Sequence, residues 1–246
     1  MQLTNFLIPL ALAATVSAAP VDCLGKALNI FEDINCPLTS TAILPTIQQP
    51  NYAELSAPAA SPSPIPTPLR VVLGHGTQNY TCSTNTASSK PVAAGAKAQL
   101  IDASCLAKYP DLLHSLPATI MSFNPKQLSE FLAKKLNIYS FNAYIGDHFF
   151  SDATTPVFSF TRSGGETIVG KKSENVAAPA TVNAKGMTDG MTTDAVDWLK
   201  IAATEGTTNG CKSVYRVVTA GGKPPATCEG QESTVEVAYA TEYWFY

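Results

Sequence analysis

The chain has 246 residues, a formal net charge of −3 and only 14% charged residues. So sparse and slightly acidic a balance leaves no basic footprint for nucleic acid and no lysine cluster for anionic lipid. The length suits a single domain with a core of its own, plus a tail.

The first residues, MQLTNFLIPLALAATVSAAP, have the form of a secretory leader. Phe6–Val16 is apolar but shorter than the ~20 residues that span a bilayer, and Val16-Ser17-Ala18 resembles a small-residue cleavage site. Residues 1–18 are expected to be a signal peptide, the protein to be secreted, and no membrane span to follow. All six cysteines, Cys23, Cys36, Cys82, Cys105, Cys211 and Cys228, lie beyond that site. An even count in an exported chain points to disulfides, and the absence of any C-x-x-C pair argues against a zinc ribbon or thioredoxin-type motif. Proximity along the chain suggests Cys23–Cys36, Cys82–Cys105 and Cys211–Cys228; the rival arrangement ties the N-terminal pair to the C-terminal pair.

Residues 19–68 form an arm. Leu24, Ala27, Leu28 and Phe31 have near-helical spacing and predict a short helix inside a Cys23–Cys36 loop. From Pro45 the arm is rich in proline, and Ser61–Pro68 alternates Pro with other residues, a pattern for extended polyproline II that either stands out as a spacer or lies along the domain surface. Its Ser and Thr content is compatible with O-glycosylation.

Residues 69–246 read as one β-rich domain. Leu69–Leu73 predicts a strand, Gly74-His75-Gly76 a bend, and Thr77–Cys82 a returning strand with Gln78, Tyr80 and Cys82 on one face. Asn79-Tyr80-Thr81 is an N-glycosylation sequon, which would turn Asn79 to solvent. A short strand follows at Ala98–Ala103, then helical turns over Cys105–Leu116 broken by Pro110 and Pro117. One prominent helix is expected after Asn124, with Asn124 as its cap, Pro125 in its first turn, Gln127 completing the cap, and Leu128, Phe131, Leu132 and Leu136 as its apolar stripe.

Strands then recur at Phe141–Ile145, His148–Phe150, Pro156–Thr161 and Thr167–Lys171, with a hairpin signal at Ser163-Gly164-Gly165. Asn175–Asp194 is a polar loop. Ala195–Ala203 alternates as a strand despite its alanines. Ser213–Cys228 combines a β-branched run, a Gly221-Gly222 corner and a stiff Pro224-Pro225 brace, the pattern of a rigid scaffold corner. Thr234–Tyr246 is a final long strand. Many short strands with turn signals predict a mainly β fold, an antiparallel β-sandwich or barrel with one prominent helix.

Four side chains are candidate ligand-binding residues: His75, Gln78, His148 and Arg216. His75 between two glycines reads as exposed and mobile. Asp147 and His148 are adjacent in a strand and so point to opposite faces unless the backbone bends at Gly146; the bland alternative packs His148 in the core. Arg216 lies in an otherwise apolar strand, where a buried charge needs a partner, with Asp197 or Glu236 the candidates. The aromatic runs at Asp197-Trp198 and Tyr243–Tyr246 favour core packing over a sugar platform. The chain has no dinucleotide, phosphate-loop, H-E-x-x-H or G-x-S-x-G motif. No catalytic residue, cofactor or metal site stands out.

The ordered blocks GHGTQNYTC, LIDASC, GDHFF followed by TPVF, VDWLKI, VYRVVTAGG with later Pro and Cys, and YATEYWFY resemble the secreted family of filamentous fungi and bacteria catalogued as domain of unknown function 3455. The resemblance spans Leu69–Tyr246. It implies secretion and carries over no catalytic residue. Members have sometimes been labelled malate dehydrogenase, and this chain lacks the dinucleotide fingerprint and the alternating strand–helix pattern that activity needs. The expectation is a secreted extracellular or cell-wall-associated, non-enzymatic binding module, its partner a cell-wall polysaccharide or a host surface component. The alternatives are a hydrolase of wall carbohydrate or ester and a metal-dependent oxidoreductase using His75 and His148.

Overall fold

The computed structural model describes Leu38, Ala42, Leu44 and residues 55–58, 66–135, 144–179 and 195–246. Eight strands form one antiparallel sheet that closes on itself: β1 (Arg70–Thr81), β2 (Val92–Asp102), β3 (Tyr144–Phe150), β4 (Pro156–Ser159), β5 (Thr167–Val176), β6 (Trp198–Ala203), β7 (Ser213–Gly221) and β8 (Thr234–Phe245). Each strand pairs with its neighbour in sequence, and β8 returns to β1 from Phe245 opposite Arg70 to Thr234 opposite Thr81. The mainly β expectation holds, and of its two architectures the molecule adopts the barrel. Closure removes the unpaired strand edges an open sheet would present.

The two-residue period of each strand sorts side chains into two cores. Inward positions Val72, Leu100, Phe158, Ile168, Ile201, Val214, Tyr243 and Phe245 form one apolar cluster inside the barrel. Arg70 closes that end, its guanidinium 4.5 Å from the centre of the Phe160 ring and 3.2 Å from Glu166. Outward positions Val71, Leu73, Ile101, Tyr215, Val217 and Trp244 form the second cluster. It is covered by a 3₁₀ turn (Ser104–Lys108) and two helices, α1 (Pro110–Ile120) and α2 (Pro125–Lys135), through Leu113, Leu116, Leu128 and Leu132. Burial on both faces explains the nearly unbroken apolar reading of β7.

Helix α2 is capped as its sequence predicts. The Asn124 side chain accepts from the Gln127 N–H, and the Gln127 side chain accepts from the Asn124 N–H, each at 2.9 Å. Helix α1 corrects the expectation of broken turns. Pro110 opens it, where a missing N–H costs nothing, and Pro117 lies within it. Burial of Leu113, Leu116, Pro117, Ala118 and Ile120 outweighs the hydrogen bond lost at Pro117.

Helix α1 is also fixed by a polar contact. His114 Nδ1 lies 2.7 Å from Glu242 on β8, a carboxylate with no exposed surface that also accepts from the Trp244 indole N–H at 2.9 Å. Burial pushes the Glu242 carboxyl up against both donors. Burial disfavours the charged imidazole as well, but the bond to Glu242 and its charge overcome this and raise His114.

Four further expectations change. The Gly74-His75-Gly76 segment is no bend but the middle of a continuous β1. Strand β3 runs unbroken from Tyr144 and β5 extends to Val176. Cys82 is bonded to Cys228, so neither Cys82–Cys105 nor Cys211–Cys228 forms; Cys105 is bridged as well, and Cys211 is a buried free thiol. Pairing is set by which loops the barrel brings to the same end, not by chain proximity. The Cys23–Cys36 pair, its helix and most of the Pro-rich repeat lie outside the described residues. Of that arm, the Leu55–Pro58 portion follows the barrel surface. The Ser56 N–H donates to Glu174 at 2.8 Å, and its carbonyl accepts from the Tyr215 hydroxyl at 2.8 Å. No helix among the described residues is long and apolar enough to cross a membrane.

Candidate ligand cavity

The end of the barrel opposite Arg70 is hollow. A cavity of about 540 Å³ opens among the ends of β1, β3, β5 and β7 and the starts of β2, β4 and β6. Nearer the solid end, β1 is packed too closely for side chains. Gly74 and Gly76 alternate inward, where a side chain on Gly74 would meet the Tyr243 ring at 2.5 Å and one on Gly76 the Lys97 carbonyl at 1.9 Å. These glycines permit close approach; they do not loosen the chain around His75.

The lower wall is apolar, with Leu199, Ile201 and the Tyr243 ring, while Gln78, His148, Lys172, Asn175, Asp197, Arg216 and Lys223 supply polar groups. Three of the four candidates from the sequence, Gln78, His148 and Arg216, therefore converge on one space from β1, β3 and β7. His75 does not join them. It faces outward beneath the turn between α1 and α2, where burial holds its pKa below the ordinary value against the raising effect of the Phe123 and Ile120 backbone. It is buried in a strand, not exposed in a loop, and its Nε2 has no partner among the described residues.

His148 is 4% exposed, while Asp147 beside it faces solvent, as alternation requires. Its ring stacks on Phe158 at a centroid distance of 4.3 Å and meets the edge of Tyr243 at 5.4 Å. Burial lowers its pKa to about 4, with nearby Arg216 adding to the effect and the Val157 carbonyl opposing it. At neutral pH it is an uncharged imidazole that donates from Nδ1 to that carbonyl at 2.9 Å, which leaves Nε2 as an acceptor.

Arg216 and Gln78 are each 9% exposed. Arg216 Nη2 donates to the backbone carbonyl of Asp197 at 2.8 Å. The expected carboxylate partner is absent: no ion pair among the described residues includes Arg216, Glu236 is exposed, and the Asp197 carboxylate instead accepts from the Asn175 amide at 3.1 Å. Arg216 Nε and Gln78 Nε2 are both buried without an acceptor among the described residues. Between them runs a pair of buried tyrosines whose hydroxyls lie 3.1 Å apart, Tyr239 beside Gln78 and Tyr243 beside Arg216. Burial raises both tyrosine pKa values, Arg216 only partly offsetting it, so both hydroxyls remain neutral donors.

The scaffold corner seen in the sequence is a wall of this cavity. The register of β7 against β8 shifts between Val217 and Ala220, and Val218 sits at φ 48°, a conformation that costs a β-branched residue roughly 1–3 kcal/mol. The bulge turns the Thr219 hydroxyl onto the Val196 carbonyl, and the Val196 N–H donates to Gly221 at 2.9 Å. These bonds hold the segment whose Asp197 carbonyl orients Arg216. The Tyr80 hydroxyl donates to Gly222 at 2.6 Å and ties β1 to the same corner.

Two alternative sites do not assemble. His75 and His148 lie on opposite faces of the sheet, and no group of three His, Cys, Asp or Glu able to hold a metal ion exists among the described residues. Asp197 is the sole carboxylate among the described cavity-lining residues, so the facing carboxylate pair of a glycosidase is not formed there. The aromatic runs pack as core, as their sequence favours: Trp198, Tyr243, Trp244, Phe245 and Tyr246 are all buried. Sequence reasoning missed Tyr239, Lys172 and Asn175; inward alternation on β8 from Tyr243 would have found Tyr239, whereas a register shift in β5 between Lys172 and Glu174 disguises the other two.

A family model described as a protein of unknown function, DUF3455, matches residues 62–246. No curated protein and no solved structure matches the chain.

Proposed function

The chain belongs to the DUF3455 family, and from that footing we propose that it is a secreted, non-enzymatic binding module that holds a small organic molecule inside its barrel. The observation that carries this reading is a cavity of about 540 Å³ whose wall presents buried donors with no acceptor. That volume is of the size that encloses small ligands, and an apolar floor with a few oriented polar groups is the usual composition of such sites. An extended polysaccharide would need an open groove, so the interior favours a small molecule over a wall polymer. The leader-like N-terminus and the Cys82–Cys228 bridge support an extracellular setting.

Titration with the neutral fluorescent probe N-phenyl-1-naphthylamine tests the reading. Saturable enhancement at one probe per chain, with the probe recovered unchanged, is the expected result. A linear, non-saturating response, or conversion of the probe, would overturn it.

A further inference from the structure

Arg216 is a permanent cation, about nine-tenths buried, with no anion in an ion pair with it among the described residues. Leaving such a charge uncompensated in a low-dielectric interior is costly, and the barrel spends one guanidinium N–H on a backbone carbonyl while Nε stays unbonded. Gln78 repeats the pattern two strands away, with β8 between them. The rest of the cavity wall does not neutralise the arginine. Lys172 and Lys223 add positive charge, and Asp197 alone opposes it, already engaged by Asn175. Among the described residues, what the site lacks is a negatively charged acceptor that reaches Arg216 Nε and Gln78 Nε2. Beside these donors the wall is aromatic and aliphatic, from His148 and the Tyr243 ring to Leu199 and Ile201.

On the reading that the barrel is a binding module, we propose that its ligand class is a small aromatic carboxylate. Its anionic head lies against Arg216 Nε and Gln78 Nε2, and its ring occupies the apolar floor beside His148. A carboxylate satisfies both donors with charge-assisted hydrogen bonds, and the planar guanidinium suits that head group better than an ammonium would. The neutral imidazole of His148 offers the ring an uncharged stacking surface.

The test is a panel of isosteric probes on the full-length wild-type protein: 2-naphthoate, 2-naphthalenemethanol and 2-naphthylmethylamine, each titrated by calorimetry. Naphthoate is expected to bind at least tenfold tighter than the alcohol, and the amine more weakly than either. Arg216→Leu should erase the naphthoate preference and leave alcohol binding within about threefold, and Gln78→Leu should reduce the preference several-fold. Arg216→Lys, which retains charge without the Nε donor, should keep only part of it. Equal binding of naphthoate and alcohol to the wild-type protein overturns the carboxylate assignment and needs no variant to do so. If the neutral probe N-phenyl-1-naphthylamine binds and none of the naphthyl panel does, the ligand class falls and the binding reading stands; if that probe fails too, the binding reading itself falls.

Discussion

At the scale of single residues, the chemistry depends on which face of a strand a side chain occupies. His75 and His148 look alike in sequence as loop or strand histidines, yet one is covered by the turn between α1 and α2 and the other lines the cavity. The titration of His148 has a defined consequence. Its folded pKa of about 4 lies below the free value near 6.5, so the unfolded chain binds more protons between those limits and stability rises with pH across that window. The stabilisation is present above pH 6.5 and lost as pH falls toward 4, by about 3 kcal/mol for this group. His148→Phe, which retains a ring on Phe158, should flatten that part of the profile. Denaturant titrations of both proteins at pH 4.5 and 7 measure the difference, and parallel profiles would show that His148 is not buried neutral. His114 acts in the opposite sense: Glu242 raises its pKa, so its contribution is present below the free value and fades as pH rises through the folded one.

At the scale of elements, the cavity mouth is shaped by connections more than by the strands. The Val218 bulge, the Gly221-Gly222 corner and the Cys82–Cys228 bridge fasten the end of β1 to the β7–β8 connection. The bridge closes a loop with a sequence separation of 146, and constraint of so long a loop in the unfolded chain is worth about 4–5 kcal/mol. The Cys82→Ala, Cys228→Ala double variant should lose that much unfolding free energy in denaturant titration; a loss under ~1 kcal/mol would show that the bridge is incidental. Native Cys211 should remain unreactive toward a thiol reagent in both proteins, because burial encloses it and raises its pKa.

At the scale of the whole molecule, one closed sheet has a solid end and a hollow end. Leu199→Trp places an indole in the hollow end. It should weaken neutral-probe binding at least tenfold while changing unfolding free energy by less than about 1 kcal/mol, since the added ring enters open space and not a packed core. Unchanged probe binding would place the probe elsewhere. Much of this architecture was legible beforehand. Alternation marked β6 despite its alanines, Ser163-Gly164-Gly165 marked the β4–β5 turn, and Asn124, Pro125 and Gln127 marked α2, because each is governed by local sterics and hydrogen bonding. Gln78, His148 and Arg216 were visible as polar residues in apolar surroundings, but not as neighbours. The sequence by itself determined strand content, the helix cap and the burial of the aromatic runs, since these follow from period and propensity within a few residues. Only the tertiary structure decided that the sheet closes, that Cys82 meets Cys228, that Pro117 stays within a helix, and that Arg216 faces a cavity with no carboxylate paired to it among the described residues. Each of those depends on contacts between segments far apart in the chain, where barrel register and shared burial override every local preference.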